Sequence, residues 1–121
     1  MNNTFAFKDL LVWQKAVDFA DSVIAMSENL NTDRKHYRLI EQLESCSTSV
    51  AMNIAEGKGR NSTKEFTHFL YIARGSMYET ITLLNIFAKR KWLDKKKLMQ
   101  IEADGVEITN MIKGLINSIN K

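Results

Sequence analysis

Four stretches of this chain place apolar or small residues at alternating spacings of three and four. The first is Leu10, Trp13, Val17, Ala20 and Ile24, and the second is Leu39, Leu43, Cys46, Val50, Ile54 and Gly57. The third runs Phe66, Phe69, Leu70, Ala73, Met77, Thr80, Leu84 and Phe87. The fourth runs Leu98, Ile101, Gly105, Ile108, Ile112, Leu115 and Ile119. Such spacing lines up one face of an α-helix and is incompatible with the two-residue alternation of a half-buried strand. The 121 residues include five glycines and no proline. That excludes collagen, a proline-rich linker and a turn-dense β sandwich, and it suits long unbroken helices.

Local signals bound the helices. The first spans about 9–29, with Asp9 as a side-chain N-cap. The second spans about 37–56, and Gly57 suits the residue just past a helix end. Ser62-Thr63-Lys64-Glu65 reads as a capping box that opens the third. Asp94 caps the fourth, with Leu93 and Leu98 spaced as a hydrophobic staple. The connections, about 30–36, 58–61 and 91–93, are short, and short connections make sequential helices antiparallel neighbours. The expected fold is all-α: an up-down-up-down antiparallel four-helix bundle, with residues 1–121 forming one domain. Residues 1–8 form a tail that is ordered if Phe5 and Phe7 dock. At 13.9 kDa a compact monomer exposes about 6,700 Å², roughly one-third of the unfolded chain's surface.

Charge is unevenly spread. The net charge is +3, yet residues 89–97, KRKWLDKKK, carry +5 and residues 34–38, RKHYR, carry +3, leaving the rest at −5. In the expected topology these segments share one end of the bundle. Clustering of this kind matters to a polyanion more than net charge does. The candidate nucleic-acid-binding residues are therefore Arg34, Lys35, Arg38, Lys89, Arg90, Lys91, Trp92, Lys95, Lys96 and Lys97. Lys95, Lys96 and Lys97 occupy the first turn of the fourth helix, where the helix dipole disfavours cations by about 0.3–1 kcal/mol each. Trp92, set among the basic groups, either stacks on an unpaired base or closes the bundle end.

Catalytic readings find less support. Glu65 and His68 form one Glu-x-x-His pair, but a di-iron bundle needs two, and Glu65 already belongs to the capping box. Cys46 lies about 15 Å along a helix from His36, too far for a nucleophile and its base. It reads as a small packed side chain. Glu56-Gly57-Lys58-Gly59-Arg60-Asn61-Ser62 lacks the strand and the Gly-Lys-Ser/Thr ending of a phosphate loop. A local anion site and an ordinary helix-end turn both remain open there. Asn53, Glu56, Ser76 and Glu79 lie close to the apolar stripes and suit a hydrogen-bonded network that fixes helix register or assembly. Gly75 beside Ser76 offers a close approach for another helix. The reading is non-enzymatic, with no metal and no cofactor. No run approaches the 18 or so apolar residues of a membrane span, and no secretory signal opens the chain. A single cysteine fits a reducing cytoplasm.

The run Ser49-Val50-Ala51-Met52-Asn53-Ile54-Ala55-Glu56-Gly57-Lys58-Gly59-Arg60 resembles the signature of the bacterial four-helix bundle proteins, the ribosomal RNA intervening-sequence proteins. Asp9-Leu10, Val12 to Ala16, Gln42-Leu43, Glu65-Phe66, Phe69-Leu70, Ala73 to Ser76 and Glu79 match in order. The family is similar in fold and assembly to the accessory variability protein of diversity-generating retroelements, a pentameric barrel that works with a reverse transcriptase. The resemblance implies a cytoplasmic, non-enzymatic homopentamer associated with RNA or ribonucleoprotein. It assigns Asn53, Glu56, Gly57, Arg60, Gly75, Ser76 and Glu79 to the structural or assembly motif. Two features depart from it. Glu44 and Ser45 stand where members often carry a basic pair, which moves the expected nucleic-acid surface to the loop end. Leu30-Asn31 and Ala51-Met52 stand in regions where members often carry proline. Helix 2 is therefore expected to continue unbroken past Ala51. The leading functional expectation is RNA binding through the basic end. The alternative is an assembly scaffold or accessory factor with a protein partner. A weaker third is an enzyme around Asn53, Glu56 and Arg60.

Overall fold

The structure is a computed structural model that describes residues 4–33 and 36–121. A 3-10 turn, Ala6–Asp9, precedes four helices: α1 Leu11–Ser27, α2 Tyr37–Lys58, α3 Thr63–Lys89 and α4 Lys95–Ile119. Each helix packs on its neighbours in sequence, and α1 closes the ring by packing on α4. Contacts between α2 and α3 run in opposite chain order: Gln42 meets Glu79, Ser49 meets Ser76 and Gly57 approaches Phe69. Asn85 to Glu102 and Met77 to Gly105 show the same sense between α3 and α4. The fold is thus the antiparallel four-helix bundle that the periodicity implies.

One core runs the length of the bundle. Its fully enclosed side chains include Val23, Leu43, Val50, Ile54, Leu70, Met77, Leu84, Phe87, Ile108 and Ile112. The stripes of α2, α3 and α4 face it as expected. The buried face of α1 differs: it is Val12, Ala16, Phe19, Val23 and Met26, with Ala20 beside it. Val17 is exposed, and Leu10, Trp13 and Ile24 are half-buried. The helix carries two adjacent apolar stripes, each spaced by threes and fours. The one holding Phe19 fills the space between α2 and α4.

Helix ends follow the side-chain chemistry in two of the three expected places. Ser62 Oγ accepts the Glu65 amide at 3.1 Å, and Asp94 Oδ1 accepts the Lys97 amide at 2.8 Å. Asp9 does not cap α1. It ends the 3-10 turn, and Leu10 in extended conformation precedes the helix. That turn is held by aromatic packing, since Phe7 lies 5.1 Å from Trp13 and Phe5 stacks on Phe7 at 5.5 Å. α2 runs through Ala51 without a break. Gly57 is not past the helix end; it is the second-last residue of α2, and Gly59 follows the last turn. A Cβ on Gly57 would meet the Phe69 Cβ at 2.8 Å, so its role is to let α3 approach. No helix among the described residues is long and apolar enough to cross a membrane.

Candidate functional site

The basic end is built by two loops. The Asn31 amide donates to the Trp92 carbonyl at 2.9 Å, which ties the α1–α2 connection to the α3–α4 connection. His36 packs its ring 4.5 Å from that of Trp92. Segments more than fifty residues apart in sequence therefore meet, as the bundle topology requires. Arg38, Lys89, Arg90, Lys91, Lys95, Lys96 and Lys97 are all exposed there. Arg34 and Lys35 lie outside the described residues. Two ion pairs occur among the described residues, Lys15 with Glu107 at 2.8 Å and Arg60 with Glu56 at 2.6 Å. Both lie away from this end, so its described cations are not paired with carboxylates.

The α3–α4 connection is a tight reversal. The Lys91 amide donates to the Ala88 carbonyl at 2.9 Å, and the Trp92 amide donates to the Phe87 carbonyl at 2.9 Å. This is a Schellman ending, whose first residue beyond the cap adopts the left-handed conformation. That residue is Lys91, at φ 65°, the one non-glycine residue with positive φ among the described residues. The ending also calls for an apolar contact across it, and Trp92 supplies one, 5.1 Å from Phe87. Trp92 therefore closes the bundle end, half-buried, with Phe87 and His36 against its ring. The part of the indole left over lines an open groove of about 950 Å³ between the C-terminal half of α1 and the α3–α4 connection.

The motif residues divide into three groups. Asn53 Nδ2 donates to the Ser49 carbonyl at 2.9 Å and to Ser49 Oγ at 2.8 Å. Ser76 Oγ donates to Ser49 Oγ at 2.9 Å, and Thr80 Oγ1 lies 3.2 Å from Cys46 Sγ. Thr80 and Ser47 are completely enclosed. This ladder of small hydroxyls and a thiol pins α2 to α3, because a one-turn slip would strand polar atoms in the core. Burial raises the Cys46 thiol above its ordinary pKa, a shift partly offset by the Thr80 hydrogen bond. A packed, protonated thiol fits the structural reading of Cys46. Glu56 and Glu79 stand outside the ladder. Glu56 pairs with Arg60, whose guanidinium also sits 4.8 Å above the Phe69 ring, and Glu79 accepts from Gln42 at 3.4 Å. Glu56 and Arg60 thus meet each other and line one cleft with Phe5 and Ala55, while the Asn53 amide is engaged by Ser49. Gly75 lies on the outer surface of α3, and among the described residues nothing beyond its own helix comes within 4 Å of the Cβ position there.

Of the extra apolar residues that broaden the core stripes, Ile40 and Met111 are half-buried and Ile54 is enclosed; the exposed apolar surface lies elsewhere. Tyr71, Tyr78, Met99 and Val106 are 46%, 53%, 68% and 60% exposed on α3 and α4, and Leu11 and Met52 are 56% and 66% exposed on α1 and α2. Arg74 lays its guanidinium 4.8 Å from the Tyr71 ring and 5.7 Å from the Tyr78 ring. The signal was present as apolar residues outside the core stripes.

Comparison with known proteins places this bundle. No curated protein matches the chain. A crystal structure of a protein of unknown function from the S23 ribosomal protein family of Bacteroides thetaiotaomicron is similar, with a TM-score of 0.81 and 24% sequence identity. The alignment covers 88% of this chain and 98% of that one. The family described as 23S rRNA-intervening sequence protein matches residues 8–114. That span takes in α1, α2, α3 and most of α4, with the Asn53 ladder and both connections of the basic end, and the chain belongs to the 23S rRNA-intervening sequence protein family.

Proposed function

We propose that this protein is a non-enzymatic, self-assembling bundle that binds RNA through its basic end. The observation that carries the RNA reading is the exposed cluster Lys89, Arg90, Lys91, Lys95, Lys96 and Lys97, none of them in an ion pair, beside the connection that the Asn31–Trp92 hydrogen bond ties to the α1–α2 connection. Three of these lysines stand at a helix N-terminus, where they oppose the helix dipole, so folding alone does not account for them. Contact with phosphates releases condensed counterions, and affinity falls with salt. The test is the triple variant Lys95→Gln, Lys96→Gln, Lys97→Gln, titrated with a folded RNA at several salt concentrations. The slope of log affinity against log salt should fall by about two, and the melting temperature should hold or rise. Binding that is independent of salt, or no tighter than to a neutral control protein, overturns the reading.

Self-assembly is supported by the outer surface. The isolated chain exposes 7854 Å², against about 6,700 Å² for a compact monomer of its mass. Exposed apolar residues occur on α3 and α4 and also on α1 and α2, and a closed ring of head-to-tail contacts draws on two different faces. The resemblance to pentameric relatives points the same way. Light scattering at micromolar concentration should give a multiple of 13.9 kDa. A monomer overturns this part alone.

A further inference from the structure

The groove at the basic end has two unlike walls. One is cationic: Lys91, Lys95 and Lys97 line it, all exposed, beside the half-buried ring of Trp92. The other is the α1 wall, with Asp21 and Asn29. Asn29 donates one amide N–H to the Ala25 carbonyl at 3.1 Å, which leaves Oδ1 as an acceptor beside the second N–H. Asp21 is an acceptor and repels anions, whereas the carboxylate of Asp94, which also lines the groove, is held by the Lys97 amide. Buried Met26 and Leu93 supply an apolar floor. The space of about 950 Å³ lies within the range of small-ligand sites, about 300–1,000 Å³.

We infer that this groove takes one unpaired nucleotide of the bound RNA, with its phosphate on the lysine wall and its base against Trp92 and the α1 wall. The inference rests on the RNA-binding reading and deepens it. A duplex can satisfy the lysines, but its stacked bases cannot enter the groove. An unpaired base is free to lie on an aromatic surface. The acceptors Asp21 and Asn29 stand on the α1 wall, across the groove from the lysines, and suit the exocyclic amine of adenine, cytosine or guanine, which uracil lacks, offering only its one imino N–H. Phosphate bound the other way round would meet the Asp21 carboxylate. The charge asymmetry therefore fixes the direction of the nucleotide.

The test compares three RNAs of equal phosphate number at one salt concentration: a hairpin with an adenine loop, the same hairpin with a uracil loop, and a blunt duplex. The adenine hairpin should bind about tenfold more tightly than the duplex, within the range that one stacked base is worth, and more tightly than the uracil hairpin. Ala25→Leu, at an exposed groove-lining position, fills the space without offering a ring. It should bring the hairpin down to the duplex affinity and leave duplex binding unchanged. Ser22→Leu, at a second exposed lining position, should do the same, and circular dichroism melting confirms that each variant is folded. Equal binding of hairpin and duplex by the unaltered protein, or a hairpin preference that survives both fillings, overturns the nucleotide pocket while RNA binding stands. Failure to bind any of the three overturns both.

Discussion

Lys91 occupies a backbone conformation that side chains carrying a Cβ adopt at a cost of about 1–2 kcal/mol, and glycine usually fills the corresponding place in a Schellman ending. The ending itself is well made, with both backbone bonds at 2.9 Å and the Trp92–Phe87 contact across it. The strain is local and is carried by one residue, which also lines the groove of the basic end. Lys91→Gly should therefore stabilise the fold by about 1 kcal/mol, a rise of roughly 4 °C in melting temperature, the gain being reduced by the freer unfolded chain. The same change should weaken RNA binding. A fall in melting temperature would show that the lysine side chain contributes more to the fold than its φ costs. Nothing in the sequence announces this residue: a lysine in a run of basic residues reads as charge alone, and its φ follows from where α3 stops. Gly57 shows the reverse error. Its place near a helix end suggested a backbone role, whereas its missing Cβ serves the 2.8 Å approach of Phe69.

At the scale of the helices, the apolar pattern identified all four and their order, because each stripe is long and no proline interrupts it. It assigned the buried face correctly for α2, α3 and α4. In α1 two stripes compete, and the choice between them depends on which side α2 and α4 occupy, which spacing within one helix does not encode. The polar ladder was legible in part. Asn53 and Ser76 do meet, but through Ser49, and the neighbouring contact of Thr80 with Cys46 needs the register of α2 on α3 to be known. The unbroken run of α2 matters to that register, since Ser49 and Asn53 lie on either side of Ala51. Proline at 51 would remove the amide that bonds one turn back and press its ring against the Ser47 carbonyl. Ala51 is 7% exposed and packs in the core, so the bend has no free space to enter. Ala51→Pro should cost about 3 kcal/mol or more, and chemical denaturation measures it. A loss below about 1 kcal/mol would show that the α2–α3 contact tolerates a kink without re-registering.

For the molecule as a whole, the topology gathers charge that the sequence disperses. An up-down-up-down bundle puts the α1–α2 and α3–α4 connections at one end, and the Asn31–Trp92 bond locks them together. A chain with net charge +3 thereby acquires an end with six unpaired cations on the α3–α4 side alone. This juxtaposition was readable once four helices and short loops were inferred. The groove was not, because it depends on how far α1 stands from the α3–α4 reversal. In the free protein the clustered cations repel one another and oppose the dipole of α4, so they destabilise the fold in proportion to how poorly they are screened. Raising salt from about 0.02 to 0.2 M shortens the screening length from roughly 20 Å to below 10 Å, which is shorter than the end is wide. The melting temperature of the free protein should therefore rise with salt, by about 2–5 °C. With Lys95, Lys96 and Lys97 all changed to glutamine, the low-salt melting temperature should start higher and the rise should shrink. Differential scanning fluorimetry of both proteins across that salt range measures the effect. Equal salt responses would mean that the lysines are solvated independently, and the strain assigned to this end would then reside in the Lys91 turn alone.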